Sequence, residues 1–238
     1  MTEALWRDPY AREAPFRVAA HTPEGGVVLE ASLFYPTGGG QPGDSGRLEW
    51  PGGALEIATA AKGQGDTVVL VPAAEAPLPP VGAEGIQRID WERRYRHMRM
   101  HTALHLLSVV LPLPVTGGQI SADKGRLDFD MAEPPGDREA LATALQDLVD
   151  RDLPVMEDWI TDAELEASPE LVKTMTVAPP RGQGRIRLVR IGTGADQVDL
   201  QPCGGTHVAR TGEIGRVALG KIEKKGARNR RVNVLLAE

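Results

Sequence analysis

Along the first ninety residues, apolar side chains come in short bursts of period two, broken by glycine and proline. Phe16–Ala20 and Val27–Phe34 read as strands joined by the turn His21-Thr22-Pro23-Glu24-Gly25-Gly26, which leaves His21 at the surface. Arg47–Trp50, Ala54–Ala60, Thr67–Val71 and Ile86–Ile89 continue the pattern. They are separated by Pro51-Gly52-Gly53, by Lys62–Asp66 and by a Pro-rich stretch at 76–82 that serves as linker or rim. Short strands divided by turns predict a small barrel. The rhythm then changes. Trp91–Leu111 predicts a helix of about five to six turns, with Leu104, Leu107 and Leu111 recurring at helical spacing. Asp90 stands at its N-cap and Pro112 follows its last apolar residue.

Beyond that helix, Thr116-Gly117-Gly118 reads as a turn, and Gln119–Met131 as a hairpin turning at Lys124-Gly125. Asp137–Arg151 is a helix with Leu141, Leu145, Leu148 and Val149 on one face. Pro154–Ile160 is a strand. Thr161–Leu171 is helical and acidic, with a capping box between Thr161 and Glu164. From Arg185 the chain is β again, over Arg185–Ile191, Val198–Gln201, Glu213–Ile222 and Arg230–Leu236. The change of rhythm places a boundary near residue 90, with a β-barrel domain over 1–90 and an α+β domain over 91–238.

Composition narrows the class. With 238 residues, 41% hydrophobic and 25% charged, the chain can bury a core. No apolar run is long enough to span a membrane, and the N-terminus has no signal-peptide pattern. The single cysteine fits a reducing compartment, so the expectation is a cytoplasmic protein. A net charge of −6 argues against a broad nonspecific nucleic-acid binder. The charge is uneven, however: residues 1–90 hold 12 acidic and 6 basic side chains, residues 181–231 hold 12 basic and 4 acidic. Arg93, Arg94, Arg96 and Arg99 form a second basic group. These runs fit a localised polyanion footprint or a solvated surface.

Chemistry enters through histidine and cysteine. His101 and His105 are four apart on the helix, so both rings emerge on one face. Cys203 and His207 repeat that spacing in a glycine-rich loop. Three imidazoles and one thiolate suit tetrahedral Zn²⁺. His97, one turn earlier, is a rival ligand or a supporting group. Position 102 is Thr, so the glutamate of H-E-x-x-H is missing and a zinc protease is disfavoured. The H-x-E and P-C-x-x-C pair of zinc deaminases is absent too. The remaining motif, Phe34–Gly46 (FYPTGGGQPGDSG), matches neither a Walker loop nor a dinucleotide fingerprint. It reads as a tight turn, or as a loop that lets a ligand approach the backbone.

Three motifs in order, FYPTGGGQPGD at 34–44, HTALHLL at 101–107 and CGGTHV at 203–208, resemble the AlaX-type alanyl-tRNA editing proteins. These are freestanding relatives of the editing domain of alanyl-tRNA synthetase. RTGEIG at 210–215 and KIEKKG at 221–226 extend the resemblance. It implies a translation-factor-like β-barrel followed by the α+β editing core shared with threonyl-tRNA synthetase. It also implies hydrolysis of the ester joining serine or glycine to tRNA for alanine, at a zinc ion held by His101, His105, Cys203 and His207. No ATP is needed and no membrane is involved. Thr37, Gly38, Gly39, Gly40 and Gln41 would border the amino-acid pocket. Arg185, Arg187, Lys221, Lys224, Lys225 and Arg228, within the basic stretches Arg181–Arg190 and Lys221–Arg231, would hold the acceptor stem. No side chain is assigned as general base, and oligomeric state stays open. The sequence stops soon after Arg231, where the longest members add a domain, so acceptor-stem choice is expected in barrel and core. A noncatalytic tRNA-binding module, a small-molecule zinc esterase and editing of threonyl-type tRNA remain alternatives.

Overall fold

The computed structural model describes residues 2–173 and 184–237. The chain divides into two compact units, Met1–Tyr95 and Arg96–Glu238.

In the first unit, a closed barrel runs in the order β2 (Glu13–His21), β3 (Val27–Leu29), β7 (Val68–Pro72), β6 (Gly53–Lys62), β5 (Gly46–Trp50) and β8 (Glu84–Ile89). Two short strands, β1 (Glu3–Ala4) and β4 (Ala31–Ser32), pair in parallel beside it. Alternation explains which side chains point inward. Leu55 and Ile57 of β6 are buried, the register slips between Ile57 and Thr59, and Ala60 then takes the inward position. An extra residue in one strand moves inward positions from odd to even numbers. Phe16, Val18, Leu48, Val68 and Leu70 complete the packing. The one polar intruder, Gln87, is fully used: its amide donates to Pro15 O (3.1 Å) and Ala31 O (3.0 Å) and accepts from Leu33 N (2.9 Å). The Pro-rich stretch is a rim of the barrel, since Gly82 N donates to Val18 O (2.9 Å). His21 is exposed and its Nε2 lies 2.9 Å from Pro79 O.

The glycine-rich loop leaves β4 and returns to β5. Gly38 and Gln41 exchange backbone hydrogen bonds of 3.0 and 2.9 Å around Gly39 (φ +58°) and Gly40 (φ +82°). Two successive positive φ values define a type I′ turn, which glycine adopts without strain. Arg94 closes the loop from behind. The sequence grouped it with exposed arginines, yet it is fully buried. Its Nε donates to both Asp44 oxygens (3.0 Å each), Nη2 to Leu33 O (2.8 Å) and Nη1 to Pro9 O (3.1 Å). Only a carboxylate fifty residues away makes that burial tolerable.

The helix α1 (Trp91–Val110) starts under an Asp90 cap, whose Oδ1 accepts from Arg93 N at 3.1 Å. In the second unit every residue of α1 from His97 to Ser108, except Arg99, is buried. A helix buried on all sides must pair each polar group it carries. One four-stranded antiparallel sheet runs β14 (Val217–Lys224), β15 (Asn229–Leu236), β10 (Lys124–Asp130) and β9 (Val115–Ile120). A three-stranded sheet runs β11 (Val155–Ile160), β12 (Ile186–Ile191) and β13 (Asp199–Pro202). The helix α2 (Arg138–Asp150) buries Leu141, Leu145 and Val149, capped by Asp137. The short α3 (Asp162–Ala167) carries the expected capping box.

Three local expectations are corrected. Lys124 and Gly125 open β10 rather than turning. A Cβ at Gly125 would lie 2.5 Å from Met100 Sδ, so this glycine serves close packing on α1. Thr116–Gly118 likewise lies within β9, and Glu213 and Ile214 fall in the 3₁₀ turn Thr211–Ile214 before β14. Arg96 and Arg99 are not free cations: Arg96 pairs with Asp123, and Arg99 donates to Ile214 O at 2.9 and 2.7 Å. Among the described residues, no helix is long and apolar enough to cross a membrane.

Candidate metal centre

Two elements of the second unit bring the four donors together. The buried middle of α1 presents His101 and His105 one turn apart. From β13, Asp199, Gln201 and Cys203 alternate onto one face, and the loop after Cys203 carries His207 back. One donor atom from each of His101, His105, Cys203 and His207 lies within 4.8 Å of the others. Cys203 Sγ is 3.4 Å from His101 Nε2 and 3.3 Å from His207 Nε2. Tetrahedral zinc with ordinary bond lengths holds its donors roughly 3.3–3.7 Å apart, so the tightest pairs already have that spacing. His97 is buried but stands outside this group of four.

Hydrogen bonds around the four orient the rings. Thr102 Oγ1 donates to Met98 O (3.0 Å) and lies 3.1 Å from His207 Nδ1 and 3.3 Å from Val208 N. With its one proton spent on Met98, the hydroxyl must accept from both neighbours. His207 therefore carries its proton on Nδ1, and Nε2 is left as a lone-pair donor. On the other side, His105 Nδ1 lies 2.9 Å from Asp199 Oδ2, so its Nε2 also faces the cluster. Asp199 is held by Lys173 Nζ (2.5 Å) and Gln201 Nε2 (2.7 Å), and Gln201 reaches Ser108 Oγ (3.3 Å). Arg187, expected as an RNA contact, works on the loop itself. It donates to Cys203 O (2.7 Å), Gly205 O (2.9 Å) and Glu157 (2.6 Å).

Charge follows from this packing. Burial opposes ionisation of Cys203, but the His101 and His207 imidazoles outweigh it and hold the thiol well below its ordinary value. Burial and the neighbouring His101 charge keep His207 well below its ordinary value, and so neutral. For His105 burial acts downward, yet its bonds to Asp199 and Cys203 prevail and raise it to about 9. Burial likewise pushes Asp199 upward, and His105 and Lys173 more than reverse it. A thiolate, a neutral imidazole of fixed tautomer and an imidazolium with a carboxylate behind it make a donor set that fits a soft divalent cation.

The other expected residues lie elsewhere. Thr37, Gly38, Gly39, Gly40 and Gln41 belong to the first unit's loop. Thr37 Oγ1 donates to Ala60 O (3.2 Å) and accepts from Gly43 N (2.9 Å). Gln41 is fully buried. Lys221, Lys224, Lys225 and Arg228 are exposed on or beside the β14–β15 hairpin, with Lys225 paired to Glu223 and Arg228 to Asp130. Arg185 is exposed just before β12, and Arg181 lies outside the described residues. Sequence reading missed Asp199, Thr102 and Lys173. A signal existed for the first: Asp199, Gln201 and Cys203 at every second position read as one strand face.

Over residues 186–233 the chain matches the family described as the threonyl and alanyl tRNA synthetase second additional domain. It is 33% identical to the alanyl-tRNA editing protein AlaX-M of Methanosarcina acetivorans over 253 aligned positions, covering 100% of both chains. Identity to the AlaX-M of Methanosarcina mazei is 33%, over 98% of this chain and 95% of that one. The alanine–tRNA ligase of Pyrobaculum arsenaticum is 36% identical over 93% of this chain, which spans 25% of the ligase. Matched end to end by such relatives, the chain belongs to the AlaX-type alanyl-tRNA editing proteins.

Proposed function

We propose that the chain is a zinc-dependent hydrolase of mischarged tRNA for alanine, releasing serine, and glycine where it is attached, without ATP and in the cytoplasm. One observation carries this reading: in a chain of the alanyl-tRNA editing family, a helix and a distant loop bring three imidazoles and a thiolate within 4.8 Å of one another. His101, His105, Cys203 and His207 would hold the ion. When bound, zinc supplies Lewis acidity toward an ester carbonyl or a water.

The chain's own groups have separable tasks. His105 and His207 have their second nitrogens on Asp199 and Thr102, so once their Nε2 atoms ligate, neither ring is a general base. The proton of the attacking water then passes to something other than these rings, and we assign it to the ribose hydroxyl beside the ester. Thr37 is assigned to selection. Its proton and one lone pair are used within its loop, which leaves one lone pair to accept. A seryl hydroxyl can donate to it and an alanyl methyl cannot. Alanine is smaller than serine, so size cannot exclude it and selection rests on that hydrogen bond. Lys221, Lys224, Lys225, Arg228 and Arg185 contact acceptor-stem phosphates, which fixes position rather than sequence.

The test is release of amino acid from seryl- and alanyl-tRNA for alanine, with metal analysis. Serine should leave much faster, and Cys203→Ala should lose both zinc and hydrolysis while keeping its circular dichroism and its salt-dependent tRNA binding. Equal release of both amino acids, or full activity in a zinc-free Cys203→Ala protein, would sink the reading.

A further inference from the structure

One face of the three-stranded sheet carries the metal cluster. Asp199 and Gln201 stand opposite Ile191 and Val189 of β12, and the bond from Cys203 N to Arg187 O (3.2 Å) extends that ladder by one pair. On the other side of β12, Val155, Glu157 and Trp159 of β11 stand opposite Ile191, Val189 and Arg187. Residues opposite one another in an antiparallel pair share a face. Cys203, Arg187 and Trp159 therefore form one row across the sheet. The reverse face is separate: Ile186, Leu188, Leu200 and Ile160 pack there with Leu165. With neighbouring strands about 4.8 Å apart, the backbone of Trp159 lies roughly 10 Å from that of Cys203.

The row is buried at one end and open at the other. Arg187 fills the middle, tied to Cys203 O, Gly205 O and Glu157. Trp159 is 36% exposed on an edge strand, Glu157 beside it is exposed, and so is Gly204 next to Cys203. Among Phe, Trp and Tyr, the second unit contains only Phe129 and Trp159. Phe129 is fully buried. A flat apolar face is thus presented to solvent on the metal-site face of the sheet, and Arg185 stands exposed just ahead of β12.

We propose that Trp159 is the stacking platform for the base of the RNA nucleotide that carries the ester. This rests on the hydrolase reading above and adds a residue to it. The ribose between ester and base spans much of the distance from the donor cluster to the indole. Indole–base stacking serves any base at an unpaired RNA end, and the flanking cation suits the adjoining phosphate.

The experiment uses the full chain, an uncharged hairpin RNA with an unpaired 3′ end, and the same RNA lacking its terminal nucleotide. Wild-type affinity should fall about 5- to 150-fold on trimming, the range expected for one stacked base. Trp159→Ala should bind the intact RNA that much more weakly and respond little to trimming, and Trp159→Phe should recover most of the loss. In deacylation, Trp159→Ala should raise KM by the same factor with kcat and zinc content unchanged. A Trp159→Ala protein that binds intact RNA like wild type, or loses as much on trimming, overturns the stacking site and leaves the hydrolase reading in place. Wild-type protein that binds in the expected pattern yet releases no amino acid supports the stacking site and overturns the hydrolase reading.

Discussion

Two glycine-rich loops, one in each unit, are each backed by a buried carboxylate, and they are built on opposite principles. Behind Gly38–Gly43 stands Asp44, locked by Arg94, whose guanidinium stays charged at any working pH. Behind Cys203–His207 stands Asp199, held by His105 and Lys173. These partners can change protonation, and one of them can give its free nitrogen to a metal. The first loop is fixed scaffolding; the second has a charge state that answers to what it binds. The difference lies in the partner, since both carboxylates are almost fully buried.

The largest expected effect comes from the permanent pair. Asp44→Asn leaves the Arg94 guanidinium buried without its counter-charge, which costs about 3–5 kcal/mol. Chemical denaturation should show the loss, and zinc content of the folded fraction should be unchanged. A change below about 1 kcal/mol would mean that Asp44 and Arg94 are not the clamp described here.

At the second carboxylate the expected loss is in metal affinity. Asp199→Asn removes the acceptor that orients His105, and zinc affinity should fall about 10- to 100-fold with the fold retained. Stability of the metal-free protein should also depend on pH in a definite direction. His105 titrates at about 9 in the fold against 6.5 for an ordinary histidine. A raised value stabilises the fold fully below 6.5, and the contribution is lost as pH rises through about 9. Chelator-treated wild type should therefore lose on the order of 1–3 kcal/mol between pH 6 and 10. Asp199→Asn should flatten that slope, and zinc should abolish it by displacing the proton. Equal slopes in all three samples would show that His105 and Asp199 are not coupled as their 2.9 Å contact implies.

What could be read from the sequence follows the same division. The strands of the barrel announce themselves because each packs one face inward, so Leu55 and Ile57 alternate with solvent-facing neighbours. The helix α1 announces itself by its Asp90 cap, and the four donors by their spacing. What stays hidden depends on partners far along the chain. Arg94 reads as a surface cation because nothing nearby indicates Asp44. Arg187 reads as an RNA contact because its acceptors are backbone carbonyls, which leave no mark in sequence. Gly125 reads as a turn because close approach by Met100 and a need for positive φ both select glycine.

That last ambiguity sets the smallest expected effect, and it separates the two loops most sharply. Gly43 and Gly204 look alike in sequence, each small and each beside a functional motif. A Cβ at Gly43 would lie 2.0 Å from Ala60 O, a backbone atom of β6 that also accepts from Thr37 N and Thr37 Oγ1. Backbone held by three such contacts cannot withdraw cheaply, so Gly43→Ala should cost about 1–3 kcal/mol. At Gly204 a Cβ meets nothing within 4 Å, and φ lies outside the left-handed region. Gly204→Ala should therefore change stability by no more than about 0.5 kcal/mol. Any loss it causes should appear in deacylation alone, as a rise in KM where substrate passes over the open loop. Parallel denaturation curves and kinetics for the two variants read this directly. If Gly204→Ala proved as destabilising as Gly43→Ala, the second loop would be rigid scaffolding like the first, and the contrast between them would fail.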